Sequence, residues 1–120
     1  MQMTELTFDG GQPPVDGYGP GGFRVAGEWH EGALLISPKG LSVLADPEDG
    51  IALLTGELSA QVDVVIVGQG PEIGPLPQRW RLALEQLRLG VEHMASPTAC
   101  RTYNVLLGED RRVAALLLPV

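Results

Sequence analysis

The chain has 120 residues, 44% of them hydrophobic and 19% charged, and its fifteen acidic against eight basic residues give a formal charge of −7. That length and composition suit a single domain over residues 1–120, burying about 65–70% of its unfolded surface without disulfide or metal, and exclude global disorder. The acidic balance repels phosphate backbones and argues against nucleic acid or anionic membrane as partner. One cysteine excludes an internal disulfide, and two histidines far apart exclude a zinc site of usual spacing.

Met1 to Gly11 is acidic and polar, with neither the basic and apolar regions of a signal peptide nor the Arg-rich character of a transit segment. The longest apolar runs, Val62–Val67 and Val113–Leu118, fall far short of the ~20 residues that span a bilayer, so a cytoplasmic location without membrane insertion is expected. Leu6 and Phe8 alternate with Thr7 and Asp9, which predicts a short strand ending at Gly10-Gly11. The Gly/Pro-rich stretch Gln12 to Gly22 reads as loop. Phe23–Ala26 and Trp29–Ser37 read as strands joined at Gly27-Glu28, and Leu41–Ala45 as a further strand after the Pro38-Lys39-Gly40 turn. Asp46-Pro47 and Asp49-Gly50 mark a loop, followed by one or two helical turns within Ile51–Ala60.

The second half reads as β-α-β-α-β. Val62–Val67 is a continuous β-branched run, suited to a strand buried on both faces. Gln78–Leu89 carries Trp80, Ala83, Leu84 and Leu87 at helical spacing and stops at Gly90. Val91–Met94 is a short strand. Ser96-Pro97 supplies an N-cap and first-turn proline for a helix reaching Leu107, and Val113–Leu118 is the closing strand. The pattern predicts an α/β domain of mixed α+β character, with strand layers and helices on one side.

Two glycine motifs fail as nucleotide sites. Gly17-Tyr18-Gly19-Pro20-Gly21-Gly22 has the dinucleotide spacing, but a strand follows it where a helix is needed. Gly68-Gln69-Gly70 follows a buried strand, but its third glycine, Gly74, comes one residue late and the helix starts only after Pro77. No nucleophile elbow, P-loop or C-x-x-C occurs, so neither catalytic residues nor a cofactor nor a metal site is assigned. His30 and His93 read as sheet residues. One constellation remains. Cys100, Arg101 and Asn104 share adjoining positions on the last helix, where the first turns favour an anion or thiolate. The Gly68-Gln69-Gly70 turn belongs to the same strand ends. Together they form a candidate ligand site, whose bland counterpart is a buried thiol, a surface charge and an asparagine bound to a loop.

Asp16-Gly17-Tyr18-Gly19-Pro20-Gly21-Gly22-Phe23-Arg24-Val25 and Gly32-Ala33-Leu34-Leu35-Ile36-Ser37-Pro38 resemble the opening of a small family of uncharacterised domains. Val64 to Gly70, Pro75-Leu76-Pro77 and Arg101-Thr102-Tyr103-Asn104-Val105-Leu106 are similar to its later blocks. The family includes the mitochondrial assembly factor for respiratory NADH:ubiquinone oxidoreductase and the adipogenesis-associated domain protein. The resemblance runs from Phe8 to Pro119 and implies a three-layer β/β/α fold. It favours a non-catalytic binding or assembly protein, with a protein partner, over the alternative of a small-molecule binder or minor enzyme. Convergence of Gln69, Arg101 and Asn104 on a cavity would favour that alternative, and a flat apolar patch the binding protein. Tyr18, Phe23 and Trp29 are candidate interface anchors, although for each of them the bland reading, a plug in the sheet's core, is the favoured one.

Overall fold

The computed structural model describes residues 3–120, and Met1 and Gln2, the start of the acidic stretch read above, lie outside the described residues. Its strands are β1 (Met3–Leu6), β2 (Val15–Gly19), β3 (Gly22–Val25), β4 (Glu28–Glu31), β5 (Ala33–Ser37), β6 (Gly40–Leu44), β7 (Val64–Gln69), β8 (Gly90–Met94) and β9 (Val113–Leu118). The helices are α1 (Pro47–Thr55), α2 (Gln78–Glu85) and α3 (Ser96–Gly108). A six-stranded sheet runs β1-β6-β5-β9-β7-β8, and a three-stranded sheet runs β2-β3-β4. Strands β9, β7 and β8 are parallel to one another, while the remaining pairs are antiparallel.

The large sheet is the middle layer. Beneath one face, Ile51, Leu54, Trp80 and Leu84 of α1 and α2 pack on Leu35, Val65, Val67 and Leu116. On the other face, Val15, Phe23 and Val25 of the small sheet join Ala99, Cys100 and Tyr103 of α3 over Leu34, Ile66, Ala115 and Leu117. The three-layer β/β/α arrangement therefore holds, but α3 shares the small sheet's layer instead of lying with α1 and α2. Strand order gives the reason. The step from β7 to β8 runs outward, and the step from β8 to β9 runs back past β7. Right-handed crossovers in opposite directions put α2 and α3 on opposite faces.

Several boundaries differ from the sequence reading: the first strand, expected around Leu6–Asp9, is Met3–Leu6, and α2, expected to reach Leu89, ends at Glu85. Val15–Gly19, expected to be loop, pairs with β3 across a bulge between Val15 and Gly17. Gly19 makes room for Trp29, whose ring lies 3.3 Å from where a Gly19 Cβ would stand. The expected strand Trp29–Ser37 is broken at Gly32, φ +89°, where the chain leaves the small sheet for the large one. Helix α1 starts earlier than expected because Asp46 caps it, accepting from the Glu48 N–H at 2.9 Å, with Pro47 in the first turn. Glu48 then joins α1 to α2 by accepting from the Arg79 guanidinium and from Trp80 Nε1, and these contacts, the Arg79 hydrogen bond first, lower its pKa.

Candidate functional site

The parallel strands bring the carboxyl ends of β7, β8 and β9 to one edge of the large sheet. There a Cβ on Gly68 would lie 2.8 Å from Ser96 Oγ and 3.0 Å from both Ala99 Cβ and Leu117 Cδ2, so α3 rests directly on the strand. Gly70, at φ +88°, donates its N–H to Ser96 Oγ at 2.8 Å, and its carbonyl accepts the Ser96 N–H at 2.8 Å. Ser96 Oγ in turn donates to the Leu118 carbonyl. Ser96 is thus not the helix cap that its sequence position suggests. Ala95 occupies the cap without a side-chain bond, and the Ser96 hydroxyl ties β7 to β9. The donors of the glycine turn are engaged within the fold.

Gln69 organises the neighbouring loop, residues 70–77. Its Nε2 donates to the Gly74 carbonyl at 2.8 Å, and its Oε1 accepts from the Gly74 N–H at 3.4 Å. His93 Nδ1 stands 2.8 Å from the same Oε1. With Oε1 an acceptor, Nδ1 carries the proton, and Nε2 has no protein partner among the described residues. This network holds one wall of a cleft of about 580 Å³ between α2, β8 and the loop. Leu76, Leu84, Leu87, Leu89 and Val91 give it an apolar lining, and His93 and the exposed Arg81–Glu85 pair, 3.4 Å apart, its polar margin.

The other sequence candidates lie elsewhere. Cys100 is buried in the core beneath the small sheet, where burial pushes its thiol up to about 11. Its surroundings therefore oppose the thiolate that a helix N-terminus would favour. Asn104 pairs with the backbone of β2, its Oδ1 accepting from the Val15 N–H and its Nδ2 donating to the Val15 carbonyl, both at 2.8 Å. The Arg101 side chain is exposed and makes no hydrogen bond among the described residues. Arg101 and Asn104 do not line the cleft, and Gln69 serves it from behind, through Gly74 and His93. Of the aromatic candidates Phe23 is wholly buried, whereas Tyr18 and Trp29 are 51% and 38% exposed. The cleft itself escaped the sequence reading. Its one signal was Leu87 and Leu89 running past the end of α2 towards the alternating Val91 and His93.

No helix among the described residues is long and apolar enough to cross a membrane. The chain is 44% identical over 110 residues to an uncharacterized protein of Rhodobacter capsulatus, covering 92% of this chain and 87% of that one. It is 31% identical over 118 residues to NADH dehydrogenase [ubiquinone] 1 alpha subcomplex assembly factor 3 of Drosophila melanogaster. That match covers 88% of this chain but only 58% of the assembly factor. Among solved structures, a crystal structure described as an outer membrane protein from Bartonella henselae superposes with a TM-score of 0.83 at 39% identity. The superposition covers 92% of this chain and 97% of that one. The family described as "Protein of unknown function (DUF498/DUF598)" matches residues 15–118, and the chain belongs to it.

Proposed function

We propose that this chain is a protein-binding domain of the assembly-factor kind, without turnover of its own, which contacts a protein during assembly of a respiratory complex. The observation that carries this reading is the likeness to assembly factor 3, which extends over 88% of this chain. The polar side chains that could have formed a reactive site give further support. Ser96, Gln69 and Asn104 hold strands and loops together. The formal charge of −7 would steer the domain towards a basic partner and make association faster at low salt.

A second reading, binding of a small molecule, is favoured by the cleft alone. Its volume of about 580 Å³ and apolar lining suit such a ligand. One experiment addresses both readings: affinity purification from the native host at low and high salt, identifying bound polypeptides and bound metabolites. Respiratory-complex subunits recovered in near-stoichiometric amount, and lost at high salt, are expected. A stoichiometric metabolite without a polypeptide would overturn the protein-binding reading.

A further inference from the structure

Strand β8 ends the large sheet and has no outer neighbour among the described residues. Its pairing with β7 decides which backbone groups are free. Gly90 N–H bonds to the Asp63 carbonyl at 2.9 Å, so Gly90, Glu92 and Met94 direct their peptide groups inward in the parallel ladder. Val91 and His93 direct theirs outward, unpaired. The same two residues send their side chains into the cleft beneath α2, while Met94 packs on the other face, which is also the face of Glu92. An open ladder edge and an apolar cleft thus stand side by side. Near the opposite edge, the hollow lined by described residues at β1 measures only about 50 Å³ and is largely polar, with Glu5, Ser42 and Glu57 among its walls.

We infer that β8 is completed by an extended segment of a partner protein, added as a further strand, with apolar side chains entering the cleft and a basic side chain beside Glu92. The unpaired peptide groups call for another backbone, and strand addition supplies one. The period of two then sets the occupant's pattern. Residues on the α2 face meet Val91, Leu84 and Leu87. Those on the opposite face meet Glu92, which is exposed and has no ion pair among the described residues. Cross-strand neighbours of opposite charge stabilise such a pair. A second copy fits poorly, since each chain carries −7 and two β8 edges would bring their Glu92 carboxylates together. This inference rests on the protein-binding reading and assigns its surface.

Random peptides displayed on phage, selected on the intact chain, test it. Expected are enriched sequences alternating apolar and basic residues, which slow amide exchange at Val91 and His93 when bound. Glu92→Lys should switch the enriched charge from basic to acidic while the melting temperature holds. Leu87→Glu should weaken binding of the original peptides about tenfold or more. Enrichment of nothing, binding that leaves the Val91 and His93 amides exchanging freely, a dimer formed through β8, or a metabolite filling the cleft would each overturn it. Should selection fail while native-host purification of both wild type and Glu92→Lys still recovers the same polypeptides, the surface is wrong but the protein-binding reading survives.

Discussion

Gly68 and Ser96 set the distance between α3 and the sheet: a Cβ on the glycine would stand 2.8 Å from the serine hydroxyl that joins β7 to β9. Ala99 and Leu117 close the same space from two other sides. Helix α3 can therefore settle on β7 only where the strand has no side chain, and that contact carries the small sheet through Asn104 and Tyr103.

Gly68→Ala should cost about 1–3 kcal/mol, because backbone and side chains must move apart around the added carbon. Gly70→Val should cost a similar 1–3 kcal/mol through its positive φ. Urea denaturation checks both: an unchanged midpoint for Gly68→Ala would show that α3 does not depend on this close fit, and one for Gly70→Val that the turn does not depend on its positive φ.

Asn104→Ala removes both bonds to Val15 and should cost about 1–3 kcal/mol, with faster amide exchange along β2. Asn104→Asp should also destabilise, since a carboxylate would face the Val15 carbonyl that the amide now satisfies. Exchange in β2 as slow as in the wild type would contradict this anchoring role.

Cys100 and Tyr103 both have pKa values raised chiefly by burial, that of Cys100 to about 11. Between the free thiol's ordinary value of ~8.5 and the folded value, the unfolded chain binds fewer protons, so stability is full below that range and falls as pH climbs through it. Melting temperature measured from neutral to alkaline pH should decline there, and Cys100→Ala should flatten the first part of the decline. Iodoacetamide should leave the native thiol unlabelled at neutral pH. Rapid labelling would contradict the burial.

Phe23→Ala should cost about 3–5 kcal/mol, as truncation of a fully buried aromatic. Tyr18→Ala should change melting little, because half of that side chain is already in water. Thermal melts of the two variants side by side distinguish core plug from surface residue.

Much of the second half was legible because each element announces itself locally. Val113–Leu118 is recovered to the residue, and β7, α2, β8 and α3 within a few positions. The small sheet was hidden because β2 is built from Gly17 and Gly19, which alternation cannot register, and because Gly32 divides the stretch Trp29–Ser37, which reads as one strand, between two different sheets. The candidate site was legible only in part. Gly68, Gln69 and Gly70 occupy the predicted strand ends, but a sequence cannot say that Asn104 meets Val15, that Cys100 points into the core, or that β8 lies at an edge. Those facts depend on strand order, which sets which face α3 covers.

Gln69→Ala should leave melting nearly unchanged while freeing the 70–77 loop, so that the Gly74 amide exchanges faster and the His93 ring signals shift. The variant should also bind selected peptides more weakly, because one wall of the cleft is no longer held. Unaltered exchange at Gly74 would show that the loop is fixed by its prolines alone.

On the inference above, the domain holds a partner protein along β8. Hydrogen–deuterium exchange on the complex isolated from the native host, compared with the free chain, distinguishes the outcomes. Slowed exchange is expected across Gly90–Met94 and the adjoining end of α2, with little change in β1. Protection confined to other surfaces, or exchange in β8 identical with and without the partner, would contradict it.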